Sequence, residues 1–135
     1  MTSITASKKT LQLTAVASLT IGAPLEGGTY CGIVTQPDGA QLAVALLSDK
    51  PPKRLNHADA QIWAESVDGV LPTRLISALL FANAKDQFEP EWHWTSERYG
   101  ASYAWDCNFD DGIQLFNVTG ASGAARAVRM IPLVL

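Results

Sequence analysis

Four oxygen-bearing side chains, Asp106, Asn108, Asp110 and Asp111, fall within six residues of one another. Carboxylate and amide oxygens at that density could ligate calcium, which gathers about six to eight oxygens at once. The same residues also suit a solvated strand running into a turn, because Asp is favoured where a backbone reverses. The set is sparse for a calcium cage, so neither a metal nor a cofactor is expected. Five aromatic residues stand close by in sequence: Trp92, Trp94, Tyr99, Tyr103 and Trp105. Such rings can stack on sugars, yet aromatics at strand spacing more often fill a core. On that ground Trp94, Tyr103 and Trp105 are assigned to the core, while Trp92 and Tyr99, in loop positions, stay open between the two roles. The ligand-binding set expected from the sequence is Trp92, Glu97, Arg98, Tyr99, Asp106 and Asn108, with loops around 83–99 and 117–123 meeting the target.

Cys107 and His93 are the one nucleophile and base worth testing. That chemistry needs an orienting acid and an oxyanion hole, and Asp106 points to the opposite side of a strand from Cys107. No catalytic residue is therefore assigned, and a non-enzymatic chain is expected. His57 and His93 are far apart in sequence and no third His exists. His57 is read as an exposed first-turn residue; His93 alternates with Trp92 and Trp94 and faces away from them, into a loop-lined pocket. The two cysteines, Cys31 and Cys107, form no CxxC pair. Both fall on expected strands, where buried free thiols are common; whether they form a disulfide stays open. Arg126 and Arg129 lie an odd number of residues apart and so take opposite sides of the last strand. One of them enters a buried side, where it needs a carboxylate partner, and Glu97 and Asp106 are the candidates.

These residues need strands to hold them. From Tyr103 to Phe109 the chain alternates, with Tyr103, Trp105, Cys107 and Phe109 on one face and Ala104, Asp106 and Asn108 on the other. Asp110-Asp111-Gly112 then turns it. With Asp110 and Asp111 in a type I turn and Gly112 left-handed, Phe109 opposes Ile113 and Cys107 opposes Leu115. Upstream, residues 29–35 and 41–47 form a second hairpin around Gln36-Pro37-Asp38-Gly39, the return strand apolar enough to be covered on both faces. Asn56 caps a helix to Ser66 with Ala58, Ile62 and Trp63 inward, and Asp68-Gly69 ends it. Thr73 caps a second helix whose buried stripe is Leu75, Ile76, Leu79, Leu80 and Ala84. Leu11, Leu13 and Ala15 suggest a short strand in a polar arm, residues 1–23, that attaches or oligomerises the domain at 24–135. Helices grouped between two β regions argue for an α+β fold rather than a regular parallel sheet.

At 135 residues, with 47% hydrophobic and 17% charged side chains, the chain suits one domain with a sizeable core. So few charges hint that neighbours cover part of the surface. A net charge of −3 argues against nucleic acid, which wants a basic patch. Residues 2–23 resemble a signal peptide only superficially, since Gln12, Thr14, Ser18 and Thr20 interrupt the apolar run. They are read as mature protein.

Several segments resemble, in order, a domain family with a C-type-lectin-like fold, found at the ends of bacterial collagen-like adhesins and in phage tail or virion proteins. They are Gly28-Thr29-Tyr30-Cys31-Gly32-Ile33-Val34, Gly39 with residues 42–46, Leu71-Pro72-Thr73-Arg74, Trp94-Thr95-Ser96-Glu97, Ser102-Tyr103-Ala104-Trp105, Phe109-x-Asp111-Gly112 and Arg126-Ala127-Val128-Arg129. The likeness covers about residues 28–131. One departure is Ile76, where the family tends to place a Glu that completes a capping box with the Thr. The resemblance implies an α+β, C-type-lectin-like domain with two short helices packed on antiparallel hairpins. It further implies a virion decoration or adhesion module, partnered by other virion proteins or by copies of itself, that meets a cell-surface glycan or protein. A bacterial surface or secreted glycan-binding adhesin is the rival. Calcium lectins of this fold class use a Glu-Pro-Asn loop and a Trp-Asn-Asp strand, which Glu89-Pro90-Glu91 and Trp105-Asp106-Cys107 only echo. The fold class also includes the enzyme that makes formylglycine in sulfatases, whose cysteine arrangement Cys31 and Cys107 do not reproduce.

Overall fold

A computed structural model describes residues 9–135. The first described strand, β1 (Leu11–Gln12), runs directly into a short helix, α1 (Leu13–Ala17). The expected strand alternation through Leu13 and Ala15 therefore ends after two residues. The physical reason is Val16: a helical turn swings it, 1% exposed, against Tyr30, Ala43, Ala45 and Ile131. Leu11, Val16 and Leu19 of the expected arm thus pack on their own domain, and residues 1–8 lie outside the described residues.

Strand β2 (Pro24–Leu25) makes a tight turn into β3 (Gly28–Thr35), which pairs with β4 (Gln41–Leu46). The connecting turn closes as its sequence demands. Gly39 N–H donates to Gln36 O at 2.8 Å, and Ala40 N–H donates to Asp38 Oδ1 at 2.9 Å. The last strand, β8 (Val128–Val134), lies between β1 and β4, giving a five-stranded sheet in the order β1-β8-β4-β3-β2. Among the described residues only the β1–β8 pair in it is parallel. Leu42, Val44 and Leu46 of β4 face one core and Ala43 and Ala45 another, so this strand is covered on both sides as its unbroken apolar run requires.

Helix α2 (His57–Ser66) starts at Asn56, whose side chain accepts from Asp59 N–H at 2.8 Å. Its inward face is His57, Ala60 and Ala64 rather than Ala58 and Ile62, which are exposed; Trp63 is half-buried. Small residues let the helix sit close over Trp94 in a core completed by Leu47, Leu71, Ala104 and Ala127. Helix α3 (Arg74–Ala84) is capped by Thr73, which accepts from Ile76 N–H at 3.2 Å. It buries Ile76, Ser77, Leu80 and Ala84, with Leu79 partly covered; Leu75, expected inside, is exposed. A single 3₁₀ turn at Lys85–Gln87 leads to β5 (Trp92–Tyr99), β6 (Tyr103–Asn108) and β7 (Gln114–Val118), a three-stranded antiparallel sheet. The architecture is α+β, dominated by sheet. Among the described residues no helix is long and apolar enough to cross a membrane.

The hairpin between β6 and β7 has a loop one residue longer than its alternation suggests. Cys107 opposes Gln114 and Asp106 opposes Leu115. Two side chains set this register: Asn108 Oδ1 accepts from Asp110 N–H and Asp111 Oδ1 accepts from Ile113 N–H, each at 2.9 Å. The loop becomes Phe109–Gly112, with Gly112 N–H donating to Asn108 O at 2.7 Å. Gly112 is left-handed, as expected, at φ 82°, and a Cβ there would strike the Phe81 ring at 2.7 Å. Phe109 is freed from the ladder and turns inward to stack on Phe88, ring centroids 3.8 Å apart. A one-residue slip exchanges the faces of a strand, so Leu115 joins the face of Asp106 and Gln114 that of Cys107.

Candidate functional site

Cross-strand pairing divides the three-stranded sheet into two unlike faces. On one, Trp92 opposes Asn108, Trp94 opposes Asp106, and Asp106 opposes Leu115; Asn117, opposite Ala104, completes it. The apolar part of this face is sealed. Trp94 is 0% exposed, donates its indole N–H to Leu55 O at 2.8 Å, and meets His57 and Trp92 edge-on at 5.1 and 5.0 Å. The polar part opens into a cleft of about 310 Å³ lined by Trp92, Asp106, Asn108, Asp111, Leu115 and Asn117, among others.

Asp106 is the chemical centre of this cleft. Although it lines an open depression the residue is only 3% exposed, and its carboxylate accepts from Asn117 Nδ2 at 3.0 Å. Burial pushes its pKa above the ordinary carboxylate value, opposed by hydrogen bonds from the Asn117 side chain and the Leu115 backbone. A carboxylate and two side-chain amides beside an indole can take hydroxyl donors and acceptors while the ring covers an apolar C–H face. Among the described residues no group of three or more His, Cys, Asp or Glu side chains is placed to hold a metal.

The structure brings Trp92, Asp106 and Asn108 together and separates the other three expected residues. Trp92 and Tyr99 occupy the two ends of β5 rather than loops, and residues 83–99 are largely helix and strand. Arg98 shares the Asp106 face by register but donates to Ala101 O. Tyr99 lies on the opposite face, stacked on Phe116 at 4.3 Å. Glu97 has a structural duty: its carboxylate accepts from Arg74 N–H at 2.7 Å, at the first residue of α3. It supplies from β5 the acidic group that Ile76 cannot, and a negative charge at a helix N-terminus is favourable. Leu115 was not expected in the site, and Asn117, expected at the start of the 117–123 loop, stands on β7; both lie beside Asp106 because of the register slip.

The opposite face corrects the assignment of Tyr103 and Trp105 to the core. Tyr103 is 41% exposed and Trp105 is half-buried. The Arg74 guanidinium lies 3.6 Å from the Trp105 ring centroid, and Tyr99 and Phe116 meet that ring edge-on at 5.4 Å. Arg74 is fixed by reciprocal bonds with Gln114, donating to Oε1 at 2.9 Å and accepting from Nε2 at 2.8 Å. Helix α3 covers this face only at its Cys107 end, leaving Tyr99, Tyr103, Phe116 and Val118 exposed beyond it.

His57, expected at the surface, is 1% exposed; its Nε2–H donates to Thr95 O at 2.8 Å. The α2 cap explains this, because Asn56 turns the first helical residue toward β5. His93 opposes Cys107 across the ladder, and its Nδ1 is 2.9 Å from Glu91 O. It lines a second cleft, as expected, and packs edge-on against Phe88 and Phe109. Burial lowers its pKa and pushes the Cys107 thiol up to about 11, so the pair stays neutral near pH 7. Cys31 and Cys107 are both free thiols buried in the α3 core. Arg126 does not meet Glu97 or Asp106: it donates to Gln87 O and, at 2.8 Å, to Leu47 O. Arg129 donates to Asp68 O, Glu26 O and Val67 O, with Asp68 Oδ2 4.0 Å away. Backbone carbonyls at helix ends, in a turn and just past a strand serve both cations. No protein-family model matches the chain, and no curated protein matches it.

Proposed function

We propose that the chain is a non-enzymatic binding module of C-type-lectin-like fold that decorates a phage virion and holds a glycan in the Asp106 cleft. The observation that carries this reading is Asp106 itself. A nearly buried carboxylate in the wall of an open cleft, held in place by Asn117 and the Leu115 backbone beside Trp92 and Asn108, presents fixed polar groups and a ring edge to a ligand. The fold is supported by two helices set between two hairpins, with the last strand returning to the first sheet. The non-catalytic reading is supported by the protonated Cys107 thiol. Exposed apolar residues on the other face of the sheet, Phe116, Val118 and Tyr103, favour the virion over a free bacterial adhesin, since assembled subunits cover such surfaces.

A glycan array tests the reading, with neutral hexose and hexosamine glycans as the expected ligands. Trp92→Ala and Asn117→Ala should each weaken the best binder at least about tenfold while near-ultraviolet circular dichroism stays that of a folded chain. An array without ligands, or one whose hits survive both substitutions, would overturn it.

A further inference from the structure

A second cleft, of about 170 Å³, lies between the 50–54 loop, the start of β5 and the segment before β8. Lys50, Lys53, Arg54 and Arg126 line it, against Glu89 and Glu91. Four cations and two carboxylates leave the cleft two charges positive, on a chain whose net charge is −3. Both carboxylates are engaged, Glu89 with Lys50 at 3.8 Å and Glu91 with Arg54. Lys53 makes no ion pair among the described residues.

Arg126 sets this cleft apart from a solvated basic patch. The residue is 4% exposed, and the fold holds its guanidinium with Gln87 O, Leu47 O and the Phe88 ring, 5.0 Å away. Its Nε–H is buried and finds no acceptor among the described residues. Among the described residues no carboxylate lies within ion-pair distance of it; Asp49 and Glu89 act only at longer range. A buried guanidinium with a spare N–H and no counter-charge is unfavourable alone and is matched by an anionic acceptor.

We infer that this cleft binds an oxyanion, with the uncompensated charge of buried Arg126 as the anchor and Lys53 as the free rim charge. The shared chemistry is a carboxylate, sulfate or phosphate group. It could be carried by an acidic sugar or by a sulfate or phosphate ester. The site is separate from the Asp106 cleft and stands whether or not that cleft takes glycans.

The test is a nuclear magnetic resonance titration of the whole chain with sodium acetate, sulfate and phosphate, chloride balancing the ionic strength. Saturable shifts of the Arg126 Nε–H and of the Ala124 and Ala125 amides are expected with at least one of the three anions. Strongest binding of acetate would identify a carboxylate ligand; strongest binding of sulfate or phosphate would identify an ester. Lys53→Glu, a rim change that leaves the buried contacts intact, should weaken the apparent affinity roughly tenfold. Arg126→Met, if it folds, should abolish saturation. Shifts that do not saturate with any anion, that map elsewhere, or that persist unchanged in Lys53→Glu would overturn the inference.

Discussion

Replacing Trp94 or Trp105 by Ala perturbs two neighbouring strands in ways the structure separates sharply. Trp94 is sealed on every side, so its removal opens a cavity beneath α2 among Ala60, Ala64 and Leu71. Small neighbours cannot collapse far into that space, which places the cost at the upper end of about 3–5 kcal/mol. The lost indole hydrogen bond adds little, because Leu55 O also accepts from Gly123 N–H at 2.9 Å and is not orphaned. Trp105 is half-exposed, and its contacts are the Arg74 guanidinium and the edges of Tyr99 and Phe116. A partly exposed cation–π contact contributes about 0.5–1 kcal/mol and each aromatic pair about 0.5–1.5. These terms overlap, so Trp105→Ala should lose about 1.5–2.5 kcal/mol. Urea melts followed by far-ultraviolet circular dichroism resolve the difference. With a slope of about 2 kcal/mol per molar, Trp94→Ala should lower the midpoint by about 2 M and Trp105→Ala by about 1 M. Equal midpoints for the two variants would refute the division of the sheet into a sealed face and a half-open one.

Glu97→Ala should lose about 1 kcal/mol through the start of α3, with Glu97→Gln losing less because an acceptor for Arg74 N–H remains; equal urea midpoints for parent and both variants would contradict the capping role. Burial lowers the folded-state pKa of both His57 and His93, so the stability from their neutral forms is complete above about pH 6.5 and is lost as pH falls from there toward the lowered values. The raised pKa of Asp106 works in the opposite sense, favouring the folded state as its carboxyl protonates at lower pH. Calorimetry should therefore show a lower Tm at pH 5 than at pH 7.5, with a smaller drop in His57→Gln, and a Tm that rises over that interval would contradict it. Neither buried thiol should react with a disulfide reagent at pH 8 until urea is added; fast labelling of Cys107 in the native chain would show that its cover is wrong.

The features legible in the sequence were those fixed by neighbours along the chain. The turn at Pro37–Gly39, the caps at Asn56 and Thr73, and the doubly covered β4 all depend on a few adjacent residues. The misread features depend on what arrives from elsewhere. Alternation in β6 gave two faces correctly but could not tell which was inside. Each face is covered along only part of its length, by α3 at Cys107 and by the α2 core at Ala104. Apolar content therefore pointed to Tyr103 and Trp105, while Asp106 was buried instead. The hairpin register turned on two side-chain bonds, from Asn108 and Asp111, that compete with a three-residue loop of equally plausible hydrophobic matching. Half the expected site, Trp92, Asp106 and Asn108, came together because those residues share strand parity. Tyr99 has the opposite parity, across the bulge in β5.

The three-carbonyl grip of Arg129 ties together positions that no pattern along the chain connects. Its Nη1 reaches Glu26 O at 2.6 Å, in the turn between β2 and β3, where Gly27 has φ +80°. A Cβ on Gly27 would stand 2.6 Å from that same nitrogen. Any side chain at position 27 would thus have to adopt a strained backbone and also displace the guanidinium from the carbonyls after α2. A change at either site alters the worth of a change at the other, so the pair should behave non-additively in a double-mutant cycle. In sequence drift, loss of the arginine at 129 would lift the steric bar at residue 27 but not the left-handed backbone that favours glycine there.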